Sequence, residues 1–563
     1  MKTFSNLDRA TNLNEMEKEP LDLLVIGGGI TGAGIALDAQ IRGLKTGLLE
    51  MQDYAAGTSS RSTKLVHGGL RYLKQFEVKL VAEVGKERAI VYENAPHVTT
   101  PVWMMLPIIE NGTFGKFSTS IGLKVYDFLA GVKKSERRSM LSNSETLSKE
   151  PLLRKEGLKG SGVYVEYRTD DARLTLEVLK EAVNRGVLAV NYTKAETFIY
   201  EEGKLVGVQV NDQLTGEKKT IYAKKIVNAA GPWVDSLREI DHSKKGKYLH
   251  LTKGVHLVID SSRFPLKEAV YFDTPFKDGR MMFAIPRAGK TYVGTTDTDY
   301  KGTIRHPRMT TEDRDYILKA SNFMFPTLNL SPEDVESSWV GLRPLIHEEG
   351  KDPSEISRKD EIFRSDSGLI TIAGGKLTGY RKMAESVVNL VLTQLSENNE
   401  KIPTCTTDRI TLSGGYVGGS EGYSRFIQER VKEGMNLGLS KVEAEKLVMR
   451  YGSNITFLYD VIKNRGHEAA ENNLPLEVFA ALLYGIEHEM VITLSDFFIR
   501  RTSALIFDIN WVQQWKSPVS KYMSTILNWT KEDEVKYMED LEKQINDAII
   551  PLDQEERPLI KSV

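Results

Sequence analysis

The stretch Leu21 to Glu50, LDLLVIGGGITGAGIALDAQIRGLKTGLLE, constrains the fold of this chain more than any other. The apolar run Leu23-Leu24-Val25-Ile26 stops at Gly27-Gly28-Gly29. Beyond Gly32, Ile35, Ala36 and Ala39 recur at helical spacing, and Leu37 and Ile41 broaden the stripe. A second short apolar run, Gly47-Leu48-Leu49, ends on Glu50. Strand, tight turn, helix, strand and acid make one βαβ unit. Gly27, Gly29 and Gly32 hold the G-x-G-x-x-G spacing, and Glu50 lies near the distance at which an acid meets ribose hydroxyls. The first glycine permits the turn, the second lets a pyrophosphate approach the backbone, and the third lets helix and strand pack closely. The helix N-terminus then offers free N–H groups and the positive end of its dipole to phosphates. An acid at position 50 disfavours a 2′-phosphate. The motif predicts a dinucleotide site and leaves FAD and NAD both open.

At 563 residues the chain exceeds one core and suggests three or four structural units. Lys plus Arg number 75 and Asp plus Glu 77, so the net charge of −2 gives no support for bulk nucleic-acid binding. Any anion site must be a local cluster. The single cysteine, Cys405, excludes internal disulfides and any zinc or iron–sulfur site built from this chain's thiolates, and fits a reducing compartment. Residues 1–20 are polar, lack the apolar core of a signal peptide, and read as a solvated tail. No apolar run reaches the ~18 residues of a membrane span.

After Glu50, Ser62 to Leu73 reads STKLVHGGLRYL and brings Lys64, His67 and Arg71 to the C-terminal edge of the sheet, where ligands collect in open α/β folds. Val78–Val91 has helical spacing and Val102–Ile109 reads as a buried strand. Phe114–Ala130, followed by Lys133, Lys134, Arg137 and Arg138, reads as a core-facing helix with a solvated end, or as an amphipathic segment resting on an anionic membrane. Asp170 or Asp171 should cap a helix from Ala172 to Arg185. Turn signals near Gly203 and Gly216 predict a β-meander leading to the strand Lys225–Gly231. Leu249–Ile259 alternates as an antiparallel strand and carries His256. Thr295–Asp299 is too acidic for phosphate and predicts an ordered turn, and Arg343 precedes a proline in extended geometry. Gly368–Lys382 repeats the opening logic, with a strand, Gly374-Gly375 and a helix start near Thr378, so the first domain is split. Beyond Thr407 the pattern is helical, with a capping box at Ser440 and Glu443 and helices over Leu474–Glu487, Leu494–Phe507 and Glu532–Ile549.

Together GGGITGAGIALDAQIRGL, TSSRSTKLVHGGLRYL, DDARL, NAAGPWV, TKGVHLVI, VGTTDTDYKG, GLRPL, GGKLTGYRKMAE and LSDFFIRRT make a chain that resembles the FAD-dependent, aerobic-type glycerol-3-phosphate dehydrogenases, in order from about residue 20 to 540. The resemblance implies an α/β plus α architecture. A discontinuous glutathione-reductase-like FAD-binding domain would span 21–95, 155–240 and 355–400. An antiparallel-sheet substrate domain would span 96–154 and 241–354, with a helical C-terminal domain over 405–550. It implies oxidation of sn-glycerol 3-phosphate to dihydroxyacetone phosphate, with hydride passing from C2 to N5 of FAD and electrons onward to a quinone. It also implies a cytoplasmic protein, peripheral on the inner face of the cell membrane; a homodimer is compatible with the sequence, which does not fix the oligomeric state.

By matching motifs, the substrate site would hold Arg71, Tyr72, Arg343, Arg358 and Lys376. The implied FAD contacts are Gly27, Gly29, Ile30, Thr31, Gly32, Glu50, Thr58, Ser59, Ser62, Lys64, Leu65, His67, Ala195, Ala229, Gly231, Gly375, Lys376, Leu377 and Thr378. His256 is the first choice for the base, because an unperturbed imidazole titrates near neutrality. His67 is its rival, and Arg343 with Lys376 stabilising an alkoxide would need no single base. The alternatives to a quinone-linked dehydrogenase are an oxidase releasing peroxide, an NAD-dependent enzyme, and a binding protein without turnover.

Overall fold

The computed structural model describes residues 4–67, 78–110, 112, 115, 119, 123, 137–350, 357, 359–396 and 402–554. The opening βαβ unit forms as its sequence dictates. Strands Leu21–Ile26 and Thr46–Leu49 lie parallel, with Ile26 beside Leu49, and helix Ile30–Ile41 connects them. On its other side Leu21–Ile26 pairs with Lys218–Asn228, which pairs in turn with Ile370–Ala373. A strand some 350 positions away thus completes the sheet that starts at Leu21. Glu361–Arg364 adds an antiparallel edge, Leu188–Val190 closes the other side, and the meander Thr193–Glu201 and Lys204–Asp212 hangs from Lys218–Asn228. Helix Ile30–Ile41 packs between helices Asp171–Asn184 and Tyr380–Leu395, and their facing Ala, Val, Leu and Ile side chains make the core of this layer.

A second, mostly antiparallel sheet is built on the long strands Lys247–Asp260 and Val335–Glu348, which pair along nearly their whole lengths. Thr99–Ile109 and Leu158–Thr169 form a second long pair in the same sheet, and Leu65–Val66 adds to its edge. This places Leu158–Thr169 in the second sheet, apart from the parallel sheet with which the expected segment 155–240 would group it.

Residues 4–20 are not a solvated tail. Arg9–Lys18 is a helix whose Arg9, Asn12, Leu13 and Met16 are buried. The Arg9 guanidinium bonds to Asp212 and to the backbone of Asn191 and Tyr192, so a polar helix is tied to the sheet by its one buried fork.

The C-terminal helices Gly419–Asn436, Lys441–Tyr451, Ile455–Glu471, Leu476–His488, Ile509–Ile526 and Lys531–Ile549 share their own apolar core. The capping box at Ser440 and Glu443 is present. Leu494–Phe507 is not one regular helix. Asp496–Arg501 is π-helical, Ser503 takes φ +55°, and only Ala504–Phe507 resumes an α turn. Phe114–Ala130 and the following lysines lie outside the described residues, apart from the buried Thr119 and Leu123 and the glycine at 115. Among the described residues no helix is long and apolar enough to cross a membrane.

Candidate active site

A cavity of about 570 Å³ opens at the C-terminal ends of the parallel strands, within the roughly 300–1,000 Å³ range of small-molecule and cofactor sites. Its lining falls into three groups. Gly27, Gly29, Ile30, Thr31 and Ser59 form the glycine turn and helix start. Glu50, Met51, Gln52, Thr193, Lys194, Ala195 and Gln213 form a polar wall beside the second strand and the meander. Thr58, Ser62, Pro344, Gly374, Gly375, Lys376 and Leu377 form the remaining wall, with Ala229 and Gly231 nearby.

The turn admits only glycine. Gly27 has φ +120°, and a Cβ there would lie 2.5 Å from the Ala229 carbonyl oxygen. A Cβ on Gly32 would lie 1.9 Å from the Gly27 carbonyl oxygen, so Gly32 sits beneath the turn and does not line the cavity. Gly29 caps the helix without a side-chain hydrogen bond, leaving first-turn amides for a ligand. Ile30 N–H donates to Ser59 Oγ at 2.9 Å, which ties the 58–62 segment to the phosphate-binding end.

Glu50 points at the same space. Its carboxylate accepts from Gly28 N–H at 2.7 Å and Gln52 N–H at 2.8 Å. Burial raises its pKa to about 7, against the opposing pull of those two amides. Each oxygen retains a lone pair suited to ribose hydroxyls.

A second cavity of about 180 Å³ abuts the first and shares Thr58, Ser62, Lys376 and Leu377 with it. His256, Arg343, His67, Leu65, Thr378, Thr63 and Arg61 are also among its lining residues. Arg343 comes from the strand Val335–Glu348 and His256 from its partner Lys247–Asp260. The Arg343 fork is pre-aimed: it donates to the Thr296 carbonyl at 3.2 Å, Asp297 Oδ1 at 3.1 Å and Thr295 Oγ1 at 3.2 Å. The Thr295–Asp299 cluster thus orders more than a turn; it orients an arginine. Its guanidinium lies over Gly254, where a Cβ would come within 2.6 Å of Nη2.

His256 stacks on Trp339, ring centroids 4.4 Å apart and planes 4° apart. Burial, with the nearby charges of Arg343 and Lys64, holds its pKa well below the ordinary imidazole value. The ring is neutral and free to accept a proton. Burial also lowers the pKa of His67, and Lys376 adds to the effect.

Lys64 is placed elsewhere than expected. Its ammonium lines neither cavity; it is buried against Asp171 Oδ1 at 2.7 Å and the Ser60 carbonyl at 2.9 Å. Arg71, Tyr72 and Arg358 lie outside the described residues. The helix cap is resolved in favour of Asp170, which accepts from Arg173 N–H at 3.1 Å, while Asp171 anchors the 62–64 turn. Thr63, Trp233 and Asp171 lie inside the quoted motifs but, like Trp339, were given no site role from sequence. Tertiary contacts alone reveal that Trp233 lines the larger cavity, Thr63 the smaller one, Trp339 stacks on His256, and Asp171 anchors the 62–64 turn.

A glycine-cradled dinucleotide cavity, opening onto a small cationic pocket with a neutral histidine, defines an oxidoreductase of the two-domain flavoprotein class. Residues 22–381 match the family model of the FAD dependent oxidoreductases, and residues 405–534 match the C-terminal domain of alpha-glycerophosphate oxidase. The chain is 64% identical over 552 residues to an aerobic glycerol-3-phosphate dehydrogenase of Bacillus subtilis (strain 168), covering 98% of this chain and 99% of that one. It is 56% identical over 547 residues to the aerobic glycerol-3-phosphate dehydrogenase of Staphylococcus aureus (strain USA300), covering 97% and 98%. Among solved structures, the glycerol-3-phosphate dehydrogenase from Bacillus halodurans complexed with FAD superposes with a TM-score of 0.85 at 55% identity, over 98% of this chain and 100% of that one. The chain belongs to the FAD-dependent oxidoreductases and, within them, to the aerobic glycerol-3-phosphate dehydrogenases. Its cofactor is FAD.

Proposed function

We propose that this protein oxidises sn-glycerol 3-phosphate at C2 to dihydroxyacetone phosphate and delivers the electrons to a membrane quinone. The observation that carries the reading is the shared wall at Thr58, Ser62, Lys376 and Leu377, where a pocket holding Arg343 and His256 meets the dinucleotide cavity. FAD bound in the larger cavity supplies the acceptor for the C2 hydride at N5. Arg343, with Arg71, Tyr72 and Arg358 from matching motifs, binds the substrate and neutralises its phosphate dianion through charge-assisted forks. Lys376 holds the C2 oxygen and stabilises negative charge developing there. His256 receives the hydroxyl proton. Peripheral contact with the inner face of the cell membrane, through the basic-flanked segment 114–138, and assembly as a homodimer belong to the same proposal.

The test is anaerobic mixing of the yellow protein with glycerol 3-phosphate. Bleaching of the flavin absorption is expected, and its absence would remove the substrate assignment. Re-oxidation then separates acceptors. A quinone analogue should outpace oxygen; stoichiometric peroxide from air would establish the alternative, an oxidase, which the match of residues 405–534 to the C-terminal domain of alpha-glycerophosphate oxidase does not by itself separate from a dehydrogenase.

A further inference from the structure

The His256 ring is closed on every side but one. Trp339 covers one face. Across the other, a Cβ on Gly294 would lie 2.3 Å from His256 Cδ2, so the ring rests on bare backbone. Nδ1 is buried without a hydrogen-bond partner. Nε2 lies 3.0 Å from Thr63 Oγ1. A proton can reach this imidazole only at Nε2, and the Thr63 hydroxyl occupies that approach.

Thr63 is itself rigidly held. Tyr292 Oη donates to its carbonyl at 3.2 Å. On one side, Ser62 N–H and Oγ donate to Asp171 at 2.9 and 2.7 Å. On the other, Lys64 is pinned to Asp171 at 2.7 Å and takes φ +57°, the left-handed region. Trp339 Nε1 donates to the Ser62 carbonyl at 2.9 Å, so the group that stacks on His256 also fixes the turn that presents Thr63. Thr63 and His256 line the same pocket.

We propose that Thr63 is a catalytic residue whose hydroxyl relays the proton of the substrate's C2 hydroxyl to His256 Nε2. The inference rests on His256 being the base. The substrate O–H bond breaks and its proton bonds to Thr63 Oγ. The proton that Thr63 gives up bonds to Nε2, leaving threonine neutral and the imidazole cationic. The substrate oxygen keeps its electron pair, which becomes the new C=O π bond as the C2–H pair leaves with the hydride to FAD. The relay requires the neutral tautomer with its hydrogen on Nδ1, in which Nε2 accepts from the Thr63 hydroxyl. Burial and the nearby charges of Arg343 and Lys64 disfavour the imidazolium, so the proton is held only briefly; Lys376 and His67 are the other titratable groups lining the same pocket.

Anaerobic stopped-flow reduction of the holoenzyme by glycerol 3-phosphate tests this. Thr63→Val should lower the limiting rate of flavin reduction by about a hundredfold or more, the usual scale for losing a proton-transfer group. Apparent substrate affinity should stay within about threefold, because the loss falls on the transition state. Thr63→Ser should recover most of the lost rate, and the valine variant's rate should climb with pH where the parent's is flat. If Thr63→Val does not retain flavin, Thr63→Ala carries the same expectations. If the valine variant reduces at the parent rate while His256→Asn is slow, the proton passes directly to the imidazole and the relay is wrong. If His256→Asn reduces at the parent rate, the base assignment falls and the relay falls with it.

Discussion

Arg501 grips both carboxylate oxygens of Asp53, at 2.6 and 2.8 Å, with both side chains sealed from solvent. Arg500 bonds to the same carboxylate and to Asp496. Burial alone would raise the Asp53 pKa, but Arg501 and Arg500 outweigh it and hold the carboxyl below its ordinary value. Asp53 directly follows Glu50–Gln52 on the cofactor wall, so the helical domain is bolted to the segment that meets the dinucleotide. Asp53→Asn leaves two buried arginines short of one negative charge. It should destabilise the holoprotein by roughly 3–5 kcal/mol in urea unfolding and weaken FAD retention. An unchanged midpoint with full flavin content would show that the pair does neither.

The glycine turn predicts a separable loss of cofactor. Gly32→Ala drives a Cβ into the Gly27 carbonyl, backbone against backbone, and Gly27→Ala adds a left-handed φ that costs roughly 1–2 kcal/mol. Both variants should purify with little flavin, read as the ratio of visible to protein absorption. Gly203→Ala is the contrast. It also has positive φ, but nothing lies within 4 Å of its Cβ, so its flavin content should equal the parent's.

The two glycine turns and the acid at 50 were legible because local pattern alone determines them: a period of two or 3.6 residues, broken by glycine. The N-terminal helix was not. Arg9–Lys18 has no apolar stripe, and its hold on the fold comes from Arg9 reaching Asp212, 203 positions away. Lys64 misled for the same reason. Its neighbours in sequence are site residues, while its counter-ion Asp171 is 107 positions away and is drawn in by the pairing of Leu65 with Arg168. The π-helical stretch at Asp496–Arg501 follows from the demand that two successive arginines reach one carboxylate, a constraint no helical period records. Arg343 and His256 could be named from motifs, but their meeting depends on the register that pairs Thr252 with Arg343 and His256 with Trp339.

Arg343 should matter to binding more than to chemistry, with geometry as well as charge at stake. Removing a charged hydrogen-bond donor to phosphate costs about 1.5–3 kcal/mol. Arg343→Ala should therefore weaken glycerol 3-phosphate by roughly ten- to a hundredfold in titrations of flavin reduction. Arg343→Lys should recover little, since an ammonium cannot replace a planar fork. Asp297→Asn, which only loosens the fork, should show a smaller loss. Unaltered affinity in Arg343→Ala would take the residue out of the phosphate site.

Glu50 gives the cofactor-free protein a pH signature. Its folded pKa of about 7 lies above the ordinary 4.5 because burial penalises the carboxylate. A group whose pKa is raised on folding contributes stability that is fully present below the unfolded value and is lost as pH rises through the folded one. The window is therefore about 4.5 to 7. Glu50→Gln cannot titrate. At the acid end the variant and parent apoproteins should unfold at similar temperatures, and above neutrality the parent should fall below the variant. FAD shifts the balance the other way, because ribose hydroxyls donate to the ionised acid. The parent's FAD affinity should strengthen as pH rises through 7, while that of Glu50→Gln stays flat and weaker at the alkaline end. A parent affinity that does not change across neutrality would mean that the ribose does not meet this carboxylate.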